Sequence, residues 1–273
     1  MTTARSTLTV HVGALRPGPR RLAVSWRDPV EHTTSAVGIL SDAGDGYTFA
    51  YLHSTALLAD FRPFIGFPVL DRVYRARQLF PFFGQRVMSS NRPDFADYLS
   101  MLALPPAATA FDVLARSGGK RKGDSVQVVE EPWVDALGQS ECAFFVAGVR
   151  HSPAGPDLTN SELSRLAPGA SLRLVPETDN PVNPRARLVM PPGLGTAVGW
   201  VPDLLLGHIE AMERQGVVIT TAIAVNGPDR PWHLRLLVQT HGRVALEDLP
   251  FRGTIWKTFE ADDQDAVQHR TWA

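Results

Sequence analysis

Apolar and polar residues mix at short period in four early segments: LTVHVGAL (8–15), RRLAVSWRD (20–28), AVGILSD (36–42) and YTFAYL (47–52). Each is bounded by Gly, Pro or Asp, which predicts short strands. DAGDG at 42–46 reads as a hairpin turn between two of them. The pattern then changes, and residues 54–116 read as helical with irregular breaks. PDFADYLSMLAL begins at Pro93, which suits a first helical turn, and puts Phe95, Tyr98, Leu99 and Leu102 on one face. TAFDVLARSGG predicts a second helix with Phe111 and Leu114 inward, ended by Gly118 and Gly119. GDSVQVVEEP then reads as a strand.

A polar stretch with Pro132 and Gly138, EEPWVDALGQSE (130–141), predicts a boundary, after which the strand pattern restarts. CAFFVAGVR, GASLRLVPE, RARLVM, GTAVGWVP, VVITTAIAV and WHLRLLVQT predict strands. LTNSELSRL and PDLLLGHIEAMERQG predict helices, the second with Asp203 near its start and Gly216 just past its end. The reading is an α+β chain: a first domain over residues 1–132, a mostly β domain with two helices over 141–245, and a tail over 246–273. From Ala245 onward six acidic residues face three basic ones, which reads as a docking or partly disordered end.

The 273 residues, 44% hydrophobic and 20% charged, suit two ordinary globular domains. No apolar run approaches the ~20 residues of a membrane helix, and MTTARSTLTVHVGAL lacks a signal-peptide layout, so a cytoplasmic location is the default expectation. The lone Cys142 excludes an internal disulfide and reads as a small buried apolar group. The formal charge of −1 is uneven: 15 basic less 10 acidic residues give +5 over 1–128, and 12 less 18 give −6 over 129–273. Neither half is basic enough to coat duplex DNA nonspecifically. The run GGKRKGD (118–124) lacks P-loop spacing. It reads as a solvated turn after a helix C-terminus, or as a contact for phosphate or an acidic partner.

Catalytic patterns are not marked out. The eight histidines never fall at metal-ligand spacing, and GLGTAVG precedes a strand where a dinucleotide fingerprint must follow one. Nucleophile-elbow and kinase motifs are missing. The expectation is a noncatalytic protein without cofactor or metal.

FFVAGVRH (144–151), LVPETDNPVNPRARLV (174–189) and VGWVPDLLL (198–206) carry a family resemblance in the second domain. It resembles the HIRAN domain, a small β-barrel similar to oligonucleotide-binding folds. The resemblance implies binding of single-stranded DNA, at a free 3′ end in some members. AVGILSDAGDGYTFAYL (36–52), LFPFFGQRVMSSNRPDFADYL (79–99) and FDVLARSGG (111–119) are similar to the N-terminal region of HipA-type serine/threonine kinases, toxins of bacterial toxin–antitoxin systems. The kinase core is missing, which implies an antitoxin-like accessory subunit that docks on a HipA-like kinase.

Mapped onto HIRAN, Arg150 matches a backbone-contacting position and His151 a base-stacking one. Asn180 and Pro181 match the Asn-Pro corner, Val182 replaces an aromatic, and Asn183 replaces the Asp that reads the terminal hydroxyl. Arg185 stands at the family's Asn, Ala186 keeps the Ala, and Trp200 takes the aromatic place. From the residues alone, Asn180 and Pro181 read equally as a plain turn and Trp200 reads as half-buried core. Arg185 and Arg187 read as an anion site or as the solvent face of an edge strand. The expected function is a kinase-docking accessory protein that senses single-stranded DNA. The alternatives are a stand-alone nucleic-acid binder and a barrel turned to protein interaction.

Overall fold

The computed structural model describes residues 19–259 apart from 122 and 194. The strand expected over 8–15 and the tail beyond Phe259 lie outside the described residues. The chain is α+β with two antiparallel sheets. Strands β1 (Arg20–Arg27), β2 (Thr34–Asp42), β3 (Tyr47–Tyr51), β4 (Tyr74–Ala76) and β5 (Val126–Glu130) form the first, in the order β4-β3-β2-β1-β5. The 42–46 turn is a hairpin as expected: Ala43 N–H donates to Gly46 C=O at 3.0 Å and Gly44 N–H to the Asp42 carboxylate at 2.9 Å. Period-2 alternation divides β1 between two environments. Leu22, Val24 and Trp26 enter an aromatic cluster with Phe49, Tyr51, Phe67, Phe83 and Phe111, while Ala23 faces the other way.

Residues 54–116 are less helical than expected. Helices are confined to a 3-10 turn (His53–Leu57), α1 (Pro81–Gly84), α2 (Phe95–Met101) and α3 (Ala110–Ser117). The cause is a run of phenylalanines packed onto the sheet by loops rather than by a helix face. Tyr51 Oη donates to Phe67 C=O at 3.0 Å and accepts from Phe64 N–H at 2.7 Å, which fixes that loop. α2 buries Leu99 and Leu102, and α3 buries Phe111 and Leu114, as their periodicity predicts. Thr109 and Asp112 close a capping box at the start of α3, and Gly118 ends it with φ 75°.

Between β5 and β6 (Trp133–Val134) stand only Glu131 and Pro132, so the chain steps from one sheet to the other at the expected boundary segment. The second sheet adds β7 (Gln139–Phe145), β8 (Ser171–Pro176), β9 (Arg187–Met190), β10 (Gly199–Trp200), β11 (Ile219–Val225) and β12 (Leu236–Arg243), in the order β10-β9-β8-β11-β12-β7-β6. Helices α4 (Gly155–Arg165) and α5 (Leu206–Gln215) complete it. The strand expected over 195–202 shrinks to two residues, because Pro202 opens a 3-10 turn.

This sheet curls until its ends touch. Just past β7, Ala147 N–H donates to Trp200 C=O at 2.8 Å and Trp200 N–H to Ala147 C=O at 2.9 Å. The approach needs bare backbone on both sides. A methyl on Gly199, at φ 147°, would sit 2.4 Å from Ala147 C=O, and one on Gly148, at φ 65°, would sit 2.6 Å from the Trp200 ring. The two sheets also share a core, with Ala23, Ile39 and Leu52 in one buried cluster with Leu205, Leu206, Ile209 and Phe251. The described part of the tail, 246–259, is ordered against this body. Phe251 is 4% exposed, and His53 N–H donates to Lys257 C=O at 2.9 Å beside the Leu52–Thr258 bridge.

The Gly199→Ala variant combines the backbone strain of a non-glycine residue, about 1–3 kcal/mol, with a clash against backbone. Urea unfolding is expected to show at least that loss, whereas Gly195→Ala, with open space around it, stays near the parent.

Candidate functional site

β8 and β9 are joined by the Pro-rich corner around 177–186, and its polar atoms turn inward. Asn180 Oδ1 accepts from Val182 N–H at 3.0 Å and Asn183 N–H at 2.9 Å, the side-chain-to-backbone turn that Asn favours. Asn180 Nδ2 and Trp200 Nε1 both donate to Glu177 Oε2, the indole at 2.7 Å. Asn183 Oδ1 accepts from Arg185 N–H at 3.0 Å, and its amide Nδ2 donates to Asp203 Oδ1 at 3.0 Å. Pro181 and Val182 lie exposed at the tip. Glu177 is the hub that sequence reading missed. The available signal was the Glu-x-x-Asn spacing, which lets Glu177 and Asn180 meet across one turn.

Arg185 and Arg187 are engaged as well. Arg185 forks onto Glu210, with Nε at 3.0 Å from Oε1 and an Nη at 2.6 Å from Oε2. Arg187 reaches Glu213 at 3.0 Å. The two carboxylates stand three residues apart on α5, and so face the same way. The hydrogen bond from Arg185 holds the Glu210 carboxyl below its usual range. The pair of arginines expected as an anion site or an open strand face is thus occupied by α5.

Trp200 is half-buried, with its ring over Gly148 and its N–H on Glu177. It belongs to the junction that closes the curled sheet. Arg150 and His151 differ from the rest. They sit on a 3-10 turn, Val149–His151, whose Val149 is 2% exposed and whose His151 N–H returns to Gly148 C=O at 2.7 Å. Both are exposed, and among the described residues neither side chain has a hydrogen-bond or ion-pair partner. The structure therefore separates the candidates into a built-in corner (Asn180, Asn183, Arg185, Trp200) and a presented turn (Arg150, His151).

One buried polar pair resembles catalytic machinery in composition only. His208 Nε2 lies 2.9 Å from Ser140 Oγ. The Ser140 hydroxyl donates to Trp133 C=O at 2.8 Å, so it accepts from the imidazole and does not offer it a proton. His208 Nδ1 has no partner, and both residues are buried away from any opening. Among the described residues, no group of three or more His, Cys, Asp or Glu is placed to hold a metal. Cys142 is 3% exposed, in the core as expected. No described helix is long and apolar enough to cross a membrane. No protein-family model, curated protein or solved structure matches the chain.

Burial lowers the His208 pKa to about 4, against about 6.5 in the unfolded chain. The unfolded state therefore takes up the proton first. Stability is complete above about pH 6.5, falls as the pH drops, and reaches its full loss near pH 4, about 3 kcal/mol in all and about 2 kcal/mol at pH 5. Urea midpoints at pH 7 and pH 5 are expected to show this fall in the parent and to lose that component in His208→Gln.

Proposed function

We propose that this chain is a noncatalytic binding protein whose barrel takes single-stranded DNA at the Arg150–His151 turn. The observation that carries the reading is the pairing of a free guanidinium with a free imidazole on one rigid, exposed turn. A guanidinium suits a phosphate oxygen, and an imidazole face suits a base. The barrel topology supports it, as does the resemblance to the HIRAN domain. Asn183 is spent on Arg185 and Asp203, so recognition of a terminal 3′ hydroxyl falls to other groups or is weak. Stacking is worth ~1–3 kcal/mol per base, roughly ten- to a hundred-fold in affinity. Fluorescence anisotropy at low salt is expected to show binding of single-stranded oligonucleotides that Arg150→Ala and His151→Ala each weaken by about tenfold. A parent protein with no affinity for any single strand would reject the reading and favour a barrel used for protein interaction.

The same chain is proposed as an accessory, antitoxin-like subunit that docks on a HipA-like kinase through its first module. Support comes from the resemblance of 36–119 to the HipA N-terminal region; Leu57, at the end of the 3-10 turn, and Ile65, in the loop that follows, are 85% and 89% exposed. Co-expression with a HipA-like kinase is expected to give a co-purifying pair that Leu57→Ser/Ile65→Ser disrupts. Independent migration of the two parent proteins would sink this half alone.

A further inference from the structure

We infer that the basic run after α3 and the turn Trp232–Leu234 extend the Arg150–His151 turn into one continuous track for a single-stranded DNA backbone, leading from the barrel onto the first module. The inference rests on the reading of the barrel as a single-strand binder. It gives that surface a second half, made of residues far from 144–206 in the chain.

The geometry comes from packing. The Val149–His151 turn lies against the Trp232–Leu234 turn. Leu234 is 1% exposed in a cluster with Leu99 and Leu102 at α2 and Val113 of α3. This draws the end of α3, and the residues that follow it, toward the barrel. Partial burial first, and the Lys120 ammonium after it, lowers the His233 imidazole pKa, so the two groups lie within electrostatic reach. Burial first, and Arg27 after it, lowers the Lys120 pKa. Arg27, Lys120, Arg121, Arg150, His151 and His233 are all exposed, and none has an ion pair among the described residues.

Several carboxylates of the neighbourhood have partners of their own, while Glu31 and Asp157 stay exposed and unpaired among the described residues. Asp124 pairs with Arg86 at 2.6 Å. Asp97 and Asp229 are held by Arg230, at 2.6 and 3.2 Å. Asp28 Oδ1 caps the Val30 and Glu31 N–H groups. Four cations and two imidazoles outnumber the free carboxylates there and raise the local potential, which phosphates would relieve. Imidazoles interleaved with cations add stacking faces to a backbone track. Duplex DNA is less favoured, because the first 128 residues carry only the +5 given by 15 basic less 10 acidic residues.

The test compares the parent, Arg150→Ala, and the triple variant Lys120→Ala/Arg121→Ala/His233→Ala, all at exposed positions. Labelled oligothymidylates of four and twelve nucleotides and a twelve-base-pair duplex are titrated by anisotropy over a salt series. The parent is expected to gain at least tenfold in affinity from four to twelve nucleotides, and the triple variant to lose that gain. Its log Kd–log salt slope should fall by about 1–2, since each lost phosphate contact on a single strand contributes about 0.7. If the triple variant keeps both gain and slope while Arg150→Ala weakens binding, the track is overturned and the barrel reading stands. An equal loss on duplex overturns the track in favour of a general cationic surface. A parent that binds no oligonucleotide removes the barrel reading and the track with it.

Discussion

The meeting of Ala147 with Trp200 is the constraint from which the second half of the molecule follows. An antiparallel sheet that curls must either leave two open edges or bring them together. Here a reciprocal pair of backbone hydrogen bonds brings them together, and only glycine fits at 148 and 199 on either side of the junction. Once Trp200 is drawn in, its indole N–H needs an acceptor, and Glu177 supplies one. Glu177 then fixes Asn180, Asn180 fixes the backbone of 182 and 183, and Asn183 fixes Arg185 and Asp203. The corner is the far end of a chain of hydrogen bonds that begins at the closure. The same junction throws the Val149–His151 turn outward, so one device accounts for both the inward corner and the presented pair.

Coupling between the halves is the second theme. Ala23 and Ile39 leave the aromatic cluster to their strand neighbours and pack with the barrel core instead. Asn226 Nδ2 donates to Met101 C=O at 3.0 Å, and Arg230 reaches Asp97 at 2.6 Å across the same seam. Exposed pairs of that kind add little stability alone. The seam is held by burial, with Leu234 seated among α2 and α3 residues. Cations on one half thereby stand at a set distance from those on the other.

What the sequence made legible was local. Alternation placed β1, β2 and β3, the Asp-Gly turn placed the hairpin, and the 3.6-residue period with Gly118 placed α3. These features depend on residues a few positions apart. The region 54–116 misled because a density of phenylalanine resembles a helix face, whereas the rings fill the sheet surface from loops. The two-residue β10 was overestimated because its flanks meet β9 through single hydrogen bonds only, Val198 N–H to Val189 C=O and Val201 N–H to Arg187 C=O, both at 2.9 Å. The candidate site was half legible. Arg150 and His151 showed themselves by following a buried strand. The fate of Arg185 and Arg187 hung on Glu210 and Glu213 in a helix beyond the next strand, and no local pattern announces such a partner.

Thr258 bridges Leu52, and Phe259 packs its ring against His53 at 4.1 Å between centroids. The first sheet is thus finished at Leu52 by residues that follow the whole second sheet in the chain. On the ribosome, strands β1 to β3 emerge early but wait through the whole barrel for that contact. The first module spends translation with an unsealed flank beside exposed apolar side chains. Folding of the first half is therefore tied to the arrival of residues 258 and 259. A message cut short within the barrel would yield a first half that invites pairing with other chains, and quality control would meet it as a sticky fragment rather than as a small working domain.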